Sequence, residues 1–152
     1  MRIKFEQDPA LEDVSVTVAA PSHDEQVKQI FKVLNAFDVQ IKCDIVGENS
    51  GEQMVSVSDI YYFESLERKT FVYCKDQVMR TEKKLYQIQE DLKSLGFLQV
   101  SKSCVLNIKM LESVTTLPNS RLEGRLKNGE SILISRKYLK RIKELLESGG
   151  TA

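Results

Sequence analysis

Apolar and polar positions change period several times along this chain. Ile3 to Phe5 and Val14 to Val18 alternate, which predicts two short strands joined through the turn at Asp8-Pro9, a small hairpin. Ser22-His23-Asp24-Glu25, behind Pro21, reads as a capping box with Ser22 as N-cap and Glu25 reaching back. A helix should follow, with Val27, Ile30, Phe31, Leu34 and Phe37 on one apolar face and Lys28, Gln29 and Lys32 toward water. From Val39 the period becomes two, as Val39, Ile41, Cys43 and Ile45 alternate with polar residues, and the segment from Gly47 to Gly51 turns the chain. Met54-Val55, Ile60 to Phe63, Thr70 to Cys74 and Val78 to Thr81 give further strands, the last two flanking a hairpin at Lys75-Asp76-Gln77. Leu85, Ile88, Leu92 and Leu95 form a second helical stripe that stops at Gly96. Strand patterns then return at Val100, Val105–Leu106, Leu111–Leu117, Leu122–Leu126 and Ile132–Ile134, with Asn128-Gly129 as a hairpin turn. The last helix should take Ser135 as N-cap, bury Leu139, Ile142, Leu145 and Leu146, and end near Gly149.

These elements predict a mainly β fold with a few helices and a small α/β N-terminal extension. The divisions are residues 1–37, an extension with a regulatory or dimerising role, residues 38–148, the main domain, and a tail of 149–152. A chain of 152 residues suits one domain with a small appendage and can bury roughly 70% of its unfolded surface. Cys43, Cys74 and Cys104 are odd in number and lack CxxC spacing, so neither a disulfide framework nor a zinc knuckle is expected. No apolar run approaches the ~20 residues of a membrane span, and the first residues lack the apolar core of a signal peptide. A reducing cytoplasm fits these features.

Formal net charge is zero, but its distribution is uneven. Residues 1–64 carry 5 Lys/Arg against 12 Asp/Glu, net −7, and residues 65–152 carry 17 against 10, net +7. An asymmetry of that size points to two surfaces with different partners, although the two regions could equally pair within the fold.

Catalysis has little support. His23 is the only histidine and belongs to a helix start, so a nucleophile system would have to assemble around a surface cap. Ser101 and Lys102 are neighbours on a strand-like segment, where adjacent side chains point to opposite faces and cannot readily share a proton. Glycine-rich phosphate loops, HExxH and EF-hand patterns are missing from the sequence. The expectation is no enzyme activity, no cofactor, no metal and no small-molecule substrate.

The cations, by contrast, fall at element boundaries, where loops meet ligands. Arg68-Lys69 follow one strand, Lys102 sits in the break before Cys104-Val105-Leu106, and Arg136-Lys137 open a basic helix that continues with Lys140, Arg141 and Lys143. Such a helix face is either solvated or a phosphate-contacting edge. Tyr61-Tyr62-Phe63 reads as a strand alternating between core and surface rather than as a base-stacking platform.

Taken in order, Asp59-Ile60-Tyr61-Tyr62-Phe63-Glu64-Ser65, Arg68-Lys69, Phe97, Val100, Lys102-Ser103, Leu106-Asn107, Asn128-Gly129 and Ser135-Arg136 resemble the LytTR family of bacterial DNA-binding domains over about residues 38 to 147. The resemblance implies a LytTR-like β-β-β fold whose loops, rather than a recognition helix, enter the major groove. It implies a DNA-facing set of Arg68, Lys69, Ser101, Lys102, Ser103, Asn107, Arg136, Lys137 and Lys140. Family members carry histidine or asparagine at the positions of Lys69 and Lys102, and lysine can donate to guanine or to phosphate. It further implies a transcription regulator that occupies paired direct repeats of double-stranded DNA with self-association on DNA. A receiver needs roughly 110 to 130 residues, so aspartyl phosphorylation within this chain is not expected; a membrane-protein regulator is the partner implied instead. The competing reading is a protein-interaction module whose basic loops are incidental.

Overall fold

Seven antiparallel strands form the main sheet, in the order β2-β1-β5-β4-β3-β7-β6. They are β1 (Gln40–Ile45), β2 (Gly51–Ser56), β3 (Ile60–Leu66), β4 (Lys69–Cys74), β5 (Val78–Thr81), β6 (Phe97–Ser101) and β7 (Cys104–Asn107). A second sheet of three strands, β8 (Leu111–Thr116), β9 (Leu122–Leu126) and β10 (Ser131–Ile134), has β9 at its centre. The helices are α1 (Glu25–Asp38), α2 (Leu85–Leu92) and α3 (Arg136–Ser148). The computed structural model describes residues 1–47 and 50–148, without the side chains of 36–38 and 145–148, so the burial expected for Phe37, Leu145 and Leu146, and the tail 149–152, lie outside the described residues.

The main sheet is buried on both faces, and β3 shows how. Ile60 pairs with Cys74 and Tyr62 with Tyr73, a bulge that takes Tyr61 out of register. Ile60 and Phe63 then enter one core with Val72, Met79, Val105 and the α2 residues Ile88 and Leu92. Tyr61 and Tyr62 enter the other with Leu98, Val100, Leu106, the small-sheet residues Leu111, Leu122, Leu126 and Ile134, and Ile142 of α3. The expected alternation of core and surface in Tyr61-Tyr62-Phe63 is therefore corrected, since all three are buried. Tyr62 stacks on Tyr73 at 4.2 Å between ring centroids, and its hydroxyl donates to Glu130 (3.0 Å), tying the Asn128-Gly129 hairpin to the sheet.

Local signals hold at most boundaries. Gly96 takes φ +89° at the end of the α2 segment and Gly129 takes φ +89° in its hairpin, conformations only glycine adopts freely. α3 begins at Arg136, directly after Ser135. α1 starts two residues later than expected, because the Asp24 carboxylate, not Ser22, accepts from the Val27 backbone (3.1 Å). Its stripe also shifts: Val27 is buried and Ile30 and Leu34 are half-buried, but Phe31, at the margin of that stripe, is exposed.

The N-terminal hairpin does not form. Asp8 and Leu11 close a turn, but neither Ile3–Phe5 nor Val14–Val18 joins a ladder. A two-stranded ribbon with nothing to pack on is marginal in water, and alternation alone cannot supply the missing face.

Burial also sets an alkaline limit. It pushes the Cys104 thiol up to about 12 and those of Cys43 and Cys74 up to about 11, from an ordinary value of about 9. Between the unfolded and folded values the native state holds more protons, so this stabilisation is complete below pH 9 and is lost as pH rises toward 12. Urea midpoints should therefore fall above about pH 9, and Cys104→Val should flatten that fall. An unchanged slope in the variant would remove the thiol from the explanation.

Candidate nucleic-acid interface

Four loops meet at one end of the molecule, and backbone hydrogen bonds string them together. The β3–β4 turn places Glu67 at φ +52° and Arg68 at φ +66°, a left-handed pair that matches the twist of a two-residue hairpin at some steric cost. The Ser65 N–H donates to Ser103 C=O (2.8 Å), which sets the β6–β7 turn, with Lys102 and Ser103, beside Arg68 and Lys69. A register shift between Gln99 and Ser101 precedes that turn, and the Ser103 N–H donates to Ser101 Oγ (3.3 Å). The Ser135 N–H donates to Val100 C=O (2.8 Å), bringing the first turn of α3 against the end of β6.

The fourth loop joins through a side chain. Arg136 Nε donates to Ser120 C=O (2.9 Å), and Ser120 is held at φ +63° in a tight β8–β9 turn in which the Leu117 N–H donates to Arg121 C=O (2.7 Å). Between this loop and α3 lies a cleft of about 330 Å³ lined by Ser101, Ser120, Arg121, Leu122, Leu133, Ile134, Ser135 and Arg136. Its floor is aliphatic and its rim carries two guanidinium groups and serine hydroxyls.

The electrostatics follow from that placement. Arg68, Lys69, Lys102, Arg121, Arg136, Lys137 and Lys140 are all exposed, and among the described residues none of them forms an ion pair with a carboxylate. Lys137 Nζ lies 5.6 Å from the Tyr138 ring centre. Arg136 and Lys137 open a helix whose N-terminal amides already carry partial positive charge, so an anion is the natural complement.

Eight of the nine expected residues thus lie on or beside this end, Lys140 one turn into α3. Asn107 does not. It sits at the far end of β7, paired with Phe97, with 2% of its surface exposed. Its amide donates to Ile60 C=O (2.9 Å) and accepts from the Lys109 N–H (3.2 Å), so both ends are spent on the scaffold. That corrects its expected DNA-facing role. Asn119, Ser120 and Arg121 were missed, although Pro118-Asn119-Ser120-Arg121 between two strand patterns is itself a turn signal with a cation at its edge.

Known proteins share this fold. The sequence pattern of the LytTR family, the LytTr DNA-binding domain, matches residues 52–147, well over half of the chain. The chain belongs to the LytTR family. A solved LytTr DNA-binding domain of a Bacillus cereus response regulator superposes with a TM-score of 0.61 at 19% identity, covering 70% of this chain and 94% of that one, which shows the shared fold. Uncharacterised HTH-type transcriptional regulators of Staphylococcus aureus are similar over most of their length. The protein of strain NCTC 8325 is 27% identical over 132 residues, 86% of this chain and 88% of the relative, and that of the bovine strain RF122 is 26% identical over the same span. The HTH label does not describe this LytTR chain, whose three α-helices among the described residues are separated from one another by strands. The family is one of DNA-binding regulators, not of enzymes. No helix among the described residues is long and apolar enough to cross a membrane.

Proposed function

We propose that this LytTR protein is a cytoplasmic transcription regulator that reads duplex DNA through its linked loops in the major groove, two copies occupying paired direct repeats. The observation that carries the reading is the row of seven exposed cations on hydrogen-bonded loops at one end, without a carboxylate partner among the described residues. A groove about 12 Å wide admits such loops and presents donor and acceptor edges to Arg136, Lys137, Lys69 and Lys102. Arg68, Arg121 and Lys140, at the margins, are suited to phosphate and set position rather than sequence.

The division of labour gives the test. Lys140→Ala should weaken all sequences alike, because a phosphate contact carries no sequence information. Arg136→Ala or Lys137→Ala should cost about 1–3 kcal/mol and relax preference at one position of the selected motif. Selection from a random duplex pool with each variant reads both effects. Recovery of an unchanged motif from both Arg136→Ala and Lys137→Ala would remove base reading from the start of α3.

A further inference from the structure

The main sheet has two edges, and they are finished differently. On β6, Gln89 of α2 donates through Nε2 to Phe97 C=O (2.9 Å) and accepts from the Gln99 N–H through Oε1, while Ser135 takes Val100 C=O. That edge is sealed. On β2, among the described residues, no hydrogen bond reaches the outward backbone groups, and Met54 lies 55% exposed on this strand. An open edge of this kind is a template for a further strand.

The same chain carries a segment with the matching pattern. Residues 1–17 are exposed throughout, with Ile3 88%, Phe5 86% and Val14 86% exposed. Lys4 Nζ lies 3.0 Å from Glu6 Oε1, a pairing of residues two apart that a strand places on one face, leaving Ile3 and Phe5 on the other. The segment thus carries the alternation of an amphipathic strand and joins no ladder.

We propose that residues 2–6 of one copy of this chain add as a strand to the β2 edge of a second copy. The register of β2 supports the fit. Val55 faces the core and Glu52 the opposite side, where it pairs with Lys42 (3.0 Å). An added strand that continues the core face with Ile3 and Phe5 sets Arg2 and Lys4 on the side of Glu52, extending the alternation of charge across strands. Nucleic acid and anionic lipid are poorer occupants, because residues 1–20 carry two cations against four carboxylates. Reach is sufficient: 20 extended residues span roughly 65 Å, against a radius of gyration of about 14 Å for a domain of this size. Residues 7–20 hold no strand, so the exchange tethers two domains without fixing their orientation, which suits two sites in the same direction. The contact itself does not depend on the DNA reading above.

Two measurements on the full chain without DNA test it. Sedimentation at micromolar concentration should give a mass near twice 17.4 kDa, and Ile3→Glu with Phe5→Glu should weaken that association by at least roughly tenfold without moving the thermal midpoint. For the pairing, a Lys4→Cys chain mixed with a Met54→Cys chain, two positions on the Glu52 side of the sheet, should under mild oxidation form a mixed disulfide well above that of Lys4→Cys with Tyr86→Cys, an exposed control on α2. The native thiols, raised by burial, compete poorly. A monomeric full chain, a dimer indifferent to the two glutamates, or equal linkage to Tyr86→Cys overturns the proposal. So does closure of a chain carrying both Lys4→Cys and Met54→Cys into a monomeric disulfide, or a loss of DNA affinity by the glutamate variant where the protein is already monomeric, since either gives the segment a different occupant.

Discussion

Raising salt from 50 to 200 mM should weaken binding to the preferred duplex by roughly 250- to 4,000-fold, although the protein has no net charge. The expectation comes from the local arrangement. Each neutralised phosphate contributes about 0.9 to the negative log-log slope, and the seven cations at the loop end support a slope of about −4 to −6 per protomer. The excess carboxylates belong to residues 1–64 and lack a partner role at that end, so they do not cancel the local field. Titration of a labelled duplex at several salt concentrations measures the slope directly. An affinity independent of salt would leave the basic loops as ordinary surface and favour a protein-interaction role.

Phe63→Ala should cost about 3–5 kcal/mol of stability, the usual range for truncating a buried aromatic. Phe63 is fully buried in β3, its ring centre 5.7 Å from that of Phe97, and the strand is held between β4 and β7 with a core on each face. The same strand ends at the Glu67-Arg68 turn, and Ser65 is its link to the Lys102 loop. DNA binding should therefore fail together with the fold, in one transition, when the variant is titrated with urea and followed by both circular dichroism and duplex binding. Binding lost well before the fold would mean that the loops are held by something other than β3.

Much of this was legible in the sequence, for identifiable reasons. Period-two alternation in Ile41-Cys43 and period-three-to-four spacing in Ile88-Leu92 each matched a surface that the chain itself could cover, and both elements formed. The alternation of Ile3 and Phe5 looked the same on paper but had no partner strand within the chain, which no local pattern records. The bulge at Tyr61 hid two-sided burial, because a one-residue register slip changes the face of every later side chain. Charge at element boundaries picked out Arg68, Lys69, Lys102, Arg136, Lys137 and Lys140, and the fold brings these exposed cations to or beside one end of the molecule. Asn107 was misplaced because it lies at the end of β7 away from the loops, a fact of pairing rather than of composition. The loop at Arg68-Lys69 was legible from its charge, but its left-handed geometry was not, since neither Glu67 nor Arg68 is a residue that usually accepts that conformation.

The way the loops are tied has a bearing on how operator preference can change. Ser65 to Ser103 and Ser135 to Val100 are bonds between main-chain atoms, so the scaffold of the loop end survives almost any side chain at positions 69, 102 and 137. If these positions read bases as proposed, they are free to drift, and engineered variants should acquire new operators through them at little cost to folding. Arg136 differs, because its own Nε holds the Ser120 turn. A base-reading Arg136 would tie recognition to architecture, so on the proposed reading position 136 is where divergence of specificity meets its strongest restraint.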